Sequence, residues 1–212
     1  DCLLSRGLGD VYKRQVMKVL YLGCFCEPTI STFIKECTKG VITVSATTFQ
    51  KALLAGCNEC GIRPDYIVNV PDIGSFPFRC NNLFFSKSKF EYASIKGVNA
   101  SFFNVTYLKK CSIYHTIMRE AKLWLNKNRE EKVTILVYSL IYPYLKAAID
   151  LKKMYPNVQI CCIVLDLPEY FGDSTSLLYR FLGNLETKRI YSLIPLSLIH
   201  IPSPRDKRQS RM

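Results

Sequence analysis

Short, continuous apolar runs recur along the chain, and stretches whose apolar positions return every three or four residues separate them. Lys18-Val-Leu-Tyr-Leu-Gly23, Asp65-Tyr-Ile-Val-Asn-Val70, Val133-Thr-Ile-Leu-Val-Tyr-Ser139 and Val158 to Leu165 form the runs. Continuous runs of this length read as strands buried on both faces, since a strand with one wet face would alternate. The intervening stretches read as helices. Ser45 caps one whose inward positions are Ala46, Phe49, Ala52, Leu53 and Cys57, fraying at Gly56 and stopping at Gly61. Tyr107, Leu108, Cys111, Tyr114, Met118, Ala121 and Leu125 make the stripe of a longer one. Pro143 suits the first turn of a third, which buries Leu145, Ala148, Ile149 and Leu151. Asp173 caps a fourth with Leu177, Leu178, Phe181, Leu182 and Leu185 inside. The charged stretch up to Gly40 reads as loop, Pro71 to Pro77 as a turn, and Leu83 to Phe103 as one or two strands.

Alternation of strand and helix, with non-alternating strands, predicts an α/β domain: an open, mostly parallel sheet with helices on both faces. All strand carboxyl ends of such a sheet emerge on one edge, and ligands bind where the strand order reverses. The exits are therefore one candidate set: Gly23 with Cys24 to Pro28, Asn69 to Ser75, Tyr138 to Tyr142, and Asp166 to Tyr170. Asp166 and Glu169 close the string "CCIVLDLPEYFGD" and leave the core at that edge, which avoids the cost of burying charge. Each candidate has a plainer reading beside it. Ser45 serves equally as an ordinary helix cap, Asp166 and Glu169 as solvated loop carboxylates, and Tyr138 and Ser139 as a polar strand end.

Several chemistries lack their signature. The sequence has no Gly-x-Gly-x-x-Gly, no Walker loop and no Gly-x-Ser-x-Gly elbow, and His115 lies beside a helical stripe. Cys24-x-Cys26, Cys57-x-x-Cys60 and Cys161-Cys162 lack the histidine or second cysteine pair that a zinc site would want, so they read as reduced thiols used as small hydrophobes. No metal or cofactor is expected, and no apolar stretch reaches the ~20 residues of a spanning helix.

The formal charge of +12 on 212 residues suggests nucleic acid until the ends are considered. Asp10-Val-Tyr-Lys-Arg-Gln15 can be encoded GAT GTG TAT AAG AGA CAG, and Leu196-Ser-Leu-Ile-His-Ile201 can be encoded CTG TCT CTT ATA CAC ATC. These are reverse complements over their whole length. Residues 1–15 and 196–212 therefore read as translated library adaptor of the transposase type, and residues 16–195 as one native domain beginning at Met17 and continuing naturally past Pro195. The two ends hold seven basic residues against three acidic ones, so four of the twelve formal charges fall outside the domain. The rest are dispersed, without an aromatic-rich RNA-binding signature, and no nucleic-acid partner is expected.

The strings "MKVLYLG" (Met17 to Gly23), "VSATTFQKALLAG" (Val44 to Gly56), "VTILVYSLIYPYLKAAIDLKK" (Val133 to Lys153) and "CCIVLDLPEYFGD" together resemble the N-terminal domain of family 4 glycosyltransferases, retaining nucleotide-sugar enzymes of the GT-B fold. The likeness runs from about Met17 to Ile194 and is nearest to the type found in bacterial polysaccharide gene clusters. It implies a single Rossmann-like domain, half of a GT-B fold, on the acceptor side of a cleft. A second domain, carrying paired glutamates, would bind most of the nucleotide-sugar donor. It implies a glycan or lipid-linked acceptor, no obligatory metal, and a cytoplasmic location at the inner membrane face. Ser45 would face the donor phosphate. Gly40 stands where the family often has a glycine pair, with Val41 in place of the second glycine. Tyr138, Ser139, Asp166 and Glu169 would line the acceptor side, with a carboxylate orienting the acceptor hydroxyl. The 212-residue chain alone would be inactive. A non-enzymatic α/β nucleotide- or partner-binding module is the alternative, and basic and aromatic surface near Phe76 to Phe90 would suit peripheral membrane contact.

Overall fold

The computed structural model describes residues 17–40, 44–165, 167 and 177–196. The expected sites Asp166 and Glu169, and the expected cap Asp173, lie outside them, as do nearly all of the two adaptor-like ends and the side chains expected inward at Leu177, Leu178, Phe181 and Leu182.

In chain order the strands are β1 (Lys18–Gly23), β2 (Tyr66–Asn69), β3 (Phe84–Phe85), β4 (Ser88–Tyr92), β5 (Ile95–Asn99), β6 (Phe102–Phe103), β7 (Val133–Tyr138) and β8 (Val158–Ile163). The helices are α1 (Pro28–Cys37), α2 (Ser45–Glu59), α3 (Lys109–Leu125), α4 (Tyr142–Met154) and α5 (Leu177–Leu193). Six strands make the main sheet in the order β4-β5-β2-β1-β7-β8. All neighbouring pairs are parallel except β4–β5, an antiparallel hairpin at the edge, and β3 pairs with β6 in a separate two-stranded ribbon. The expected Rossmann-like α/β domain is what forms.

Both sheet faces are covered, and side-chain alternation proves it. Tyr21 donates its hydroxyl to Gln50 of α2. Tyr66, in register with Leu20, stacks on Trp124 of α3. Adjacent strand residues point to opposite faces, so α2 and α3 cover opposite sides. The strand order turns around at β1. From there the chain first builds outward to β2 and β5, then crosses under α3 to β7 and β8. Leu20, Leu22, Ile67, Val68, Ile135 and Val137, all buried, are the sheet's contribution to the core.

Five local expectations need correction. The stretch through Gly40 is not all loop: Pro28–Cys37 is helical, with Ile34 and Cys37 inward. Ser45 is the first helical residue rather than the cap; Val44 holds the cap position and supplies no side-chain bond. The buried positions of α2 are Gln50 and Leu54, while Phe49 is 39% exposed, so the true stripe is displaced by one residue. Tyr107, Leu108 and Cys111 face outward; Ile113, Thr116, Ile117, Met118, Glu120, Ala121 and Leu125 are the buried face of α3. Leu185, expected inside α5, is 37% exposed, whereas Ile190 of the same helix is buried.

A polar contact ties α3 to α4. Tyr114 donates its hydroxyl to Asp150 Oδ2 at 2.8 Å, and Lys146, one turn before Asp150, also donates to that oxygen. Burial alone would raise Asp150, but these two bonds outweigh it and hold its carboxyl below the usual value. The same bond to Asp150, with burial second, pushes the Tyr114 phenol from 10.0 up to about 12. A group whose pKa is raised by folding contributes stability that is complete below its unfolded value and is lost as pH climbs through its folded value. Parent protein should therefore lose stability between pH 10 and about 12 more steeply than Tyr114→Phe. Urea midpoints across that window check this; equal slopes would refute it.

Candidate functional site

The strand register lines up the carboxyl ends. Asn99 pairs with Asn69, Asn69 with Gly23, and Tyr138 with Ile163. Leu22 faces Val137, so Gly23 and Tyr138 follow as neighbours. One edge of the sheet thus presents Asn99, Asn69, Gly23 and Tyr138 in a row, with the exit of β8 beyond.

The β1 exit is held by side chains rather than by a strand. Phe25 is fully buried, and its peptide groups have no ladder partner there. Asn69 supplies both: the Phe25 N–H donates to Asn69 Oδ1 at 3.0 Å, and Asn69 Nδ2 donates to the Phe25 carbonyl at 2.8 Å. Asn69 Nδ2 also donates to Asn99 Oδ1 at 2.8 Å. Asn99 Nδ2 then donates to Glu27 Oε1 at 2.9 Å and to Ser88 Oγ at 3.0 Å. Glu27 is 1% exposed and caps α1, accepting from the N–H groups of Thr29 (2.8 Å) and Ile30 (3.1 Å) and from the Thr29 hydroxyl. Pro28 occupies the first helical turn, where its missing N–H costs nothing. A chain of buried amides and one carboxylate therefore fixes the ends of β1, β2 and β5 to the start of α1.

Beside that chain lies a groove of about 320 Å³. Thr29, Ile30 and Phe33 of α1 form one wall, Pro71, Asn99 and Ala100 the floor at the strand exits, and Phe84, Phe85 and Phe102 with Asn82 and Lys87 the other wall. Phe85 and Phe102 stack with ring centroids 5.0 Å apart, and Phe33 meets Phe85 edge-on at 5.7 Å. Aromatic faces flanked by a few hydrogen-bonding groups are what a small polar ligand with an apolar face needs.

On the other half of the row the residues are more enclosed than the sequence reading expects. Gly23 is buried, and a Cβ there would stand 2.6 Å from Tyr21 Cε1 and 3.1 Å from Gln50 Oε1. The missing side chain accommodates the protein's own Tyr21–Gln50 pair. Gln50 Oε1 accepts both the Tyr21 hydroxyl and the Cys24 N–H at 3.0 Å. Tyr138 is 5% exposed, with its ring 6.1 Å from that of Phe49 on α2. Ser139 is also buried and sits at φ 63°, a left-handed conformation uncommon outside glycine, while its N–H donates to the Ile163 carbonyl at 2.9 Å. Ser45 is exposed at the open first turn of α2, and the neighbouring Thr47 hydroxyl accepts from Cys26 N–H at 3.1 Å, which brings that turn to the β1 exit. Gly40 has φ 93° and open space around it, just after the Thr38–Cys80 bridge.

Burial keeps the phenols and thiols under the rim protonated. Burial pushes the Tyr21 and Tyr144 phenols and the Cys24 thiol well above their ordinary values, and it lowers the Lys109 ammonium. Cys162 is raised by burial to about 12. No thiolate nucleophile is therefore poised there at neutral pH. All nine cysteines among the described residues are free, and no metal-binding group of side chains occurs among those residues. No described helix is long and apolar enough to cross a membrane.

Sequence reasoning included Glu27 and Asn69 only as members of loop segments after strands, and missed Gln50 and Asn99 as members of this site. No protein-family model matches the chain, and no curated protein matches it.

Proposed function

We propose that the chain is the acceptor-side domain of a retaining, nucleotide-sugar-dependent glycosyltransferase, and that its row of strand ends forms one wall of the cleft where transfer occurs. The observation that carries this reading is the groove: aromatic rings and amide groups converge beside Asn99 on the same edge to which β1, β2, β5 and β7 deliver their exits. The motif resemblance from Met17 to Ile194 supplies the reaction class. In that reaction the bond from the sugar's anomeric carbon to the diphosphate breaks, a bond to the acceptor oxygen forms on the same face, and the acceptor's hydroxyl proton is released. The departing diphosphate is stabilised by hydrogen-bond donors and positive dipoles. The groove takes the acceptor, the first turn of α2 at Ser45 lies toward the donor, and Asp166 and Glu169 are assigned to the acceptor side by resemblance alone. The donor is bound mainly by a second lobe facing this rim.

Two measurements test the reading. Genomic DNA around this sequence should encode a second α/β domain just past Ile194. The 212-residue chain alone should neither hydrolyse nor transfer sugar from any nucleotide-sugar, whereas the two-lobed protein should release nucleoside diphosphate in step with glycosylated acceptor. Turnover by the short chain, or a two-lobed protein that releases diphosphate with no acceptor present and glycosylates nothing, would overturn it.

A further inference from the structure

We infer that Lys87 makes the groove selective for an acceptor with one carboxylate, an acidic sugar of the uronic acid class; the inference rests on the acceptor reading of the groove. Among the described residues that line the groove, Lys87 is the one with a charge. Its ammonium is held in place from below. Lys87 Nζ lies 2.5 Å from Oε2 of Glu120 on α3, a residue only 4% exposed, although the lysine side chain is itself 42% exposed. Arg119 Nε donates to the other oxygen, Glu120 Oε1, at 3.0 Å. Arg119 Nη2 is tied in turn, donating to Ser101 Oγ at 3.0 Å and to Thr116 Oγ1 at 3.2 Å. An ion pair with a half-exposed member adds little to stability. What this one does is fix a cation in the wall of a cavity before any ligand arrives, and groups set in advance lose less freedom on binding.

The balance of charge identifies the ligand. Lys87 and Arg119 share the Glu120 carboxylate, which leaves one positive charge over. Glu27, behind Asn99, does not cancel it. Glu27 is 1% exposed, and its carboxylate already accepts from the Thr29 and Ile30 N–H groups, the Thr29 hydroxyl and the Asn99 amide, at the positive end of the α1 dipole. One leftover charge matches one carboxylate, whereas a phosphate monoester carries about two charges at neutral pH and a neutral sugar carries none. The donors suit the same group. An ammonium has three N–H bonds, of which Glu120 takes one. Ser88, also in the groove lining, accepts from Asn99 Nδ2 at 3.0 Å and so keeps its own hydroxyl proton to donate. The rings of Phe84, Phe85 and Phe102 offer a surface to the apolar face of the sugar.

Titration of the 212-residue chain with methyl β-glucuronide, methyl β-glucoside and glucose 6-phosphate, followed by NMR, tests the inference. The glucuronide should bind about tenfold tighter than the glucoside, and tighter than glucose 6-phosphate. Raised salt should narrow the gap between glucuronide and glucoside. Lys87→Gln should close that gap by weakening the glucuronide alone, and Lys87→Arg should keep it. If Lys87→Gln lowers the unfolding midpoint, the parent protein decides: the Lys87 Cε resonance should shift with the glucuronide and not with the glucoside. Equal binding of the two glycosides, a gap that survives Lys87→Gln in a folded protein, an unmoved Cε resonance, or tighter binding of glucose 6-phosphate would overturn the inference and leave the acceptor reading standing. If none of the three binds, the inference falls and the groove loses its part in the acceptor reading with it. An inactive two-lobed protein that still prefers the glucuronide would overturn the transferase reading and leave the selectivity of the groove standing.

Discussion

Asn69→Leu is expected to destabilise the domain by about 3–5 kcal/mol, the largest loss from any single side chain of the rim. Leucine fills nearly the same space, so no cavity is created. What disappears is three hydrogen bonds, to the Phe25 N–H, the Phe25 carbonyl and Asn99 Oδ1, at 3.0, 2.8 and 2.8 Å. Phe25 is 0% exposed and Asn99 3%, so water cannot replace them. Each buried group left without a partner costs ~1–3 kcal/mol, against a total stability of ~5–15 kcal/mol for a domain of this kind. With a urea slope of ~2 kcal/mol per molar, the midpoint should fall by about 2 M. Asn69→Asp should do comparable harm, because it keeps an acceptor for the Phe25 N–H but forfeits both donated bonds and buries a charge. A leucine variant that loses less than ~1 kcal/mol would mean that the Phe25 peptide finds other partners, and the account of the β1 exit would fail.

The frame of the molecule was readable because β1, β2, β7 and β8 are buried on both faces, which writes itself into sequence as unbroken apolar runs. Their observed limits differ from the expected ones by at most two residues. Elements that depend on partners far along the chain were not readable. The helix α1 is capped by a glutamate, outside the usual capping set, and Glu27 can serve only because Asn99, seventy-two residues away, holds its carboxylate in place. The stripe of α2 is misread by one position because a polar residue, Gln50, points inward to satisfy Tyr21 and Cys24, while the aromatic Phe49 stays half outside. The β4–β5 hairpin turns on Ala93 and Ser94 at φ 49° and 61°, conformations that normally call for glycine or asparagine, so its turn left no local mark. Asn69 stood inside an apolar run and Asn99 inside a stretch of mixed character. That they pair with each other depends on β2 and β5 lying side by side, which spacing along the chain does not reveal.

Glu27 should show the second largest effect and should reveal that the rim is one connected unit. Glu27→Ala removes the cap of α1, strands the N–H groups of Thr29 and Ile30, and takes one of the two acceptors from Asn99 Nδ2. Losing a helix cap costs ~1 kcal/mol, and buried donors left bare add more, so a total of about 2–4 kcal/mol is expected. Glu27→Gln should cost less, about 1–2 kcal/mol, because its single oxygen can keep the Oε1 contacts while its amide opposes the Thr29 N–H. Asn69 and Glu27 do not touch by any bond described above; Asn99 links them, accepting from one and donating to the other. Either substitution alone frees Asn99 to shift, so the second should then cost less than it does in the parent. A double-mutant cycle on Asn69→Leu and Glu27→Ala should give a coupling of about 1 kcal/mol or more by urea unfolding. Strict additivity would mean that the two ends of the network act independently. The groove wall at Thr29 and Ile30 would then owe nothing to the strand end at Asn69. With coupling present, loosening the edge at Asn69 also loosens the groove, and any ligand bound there should be released faster by Asn69→Leu even though that residue does not line it.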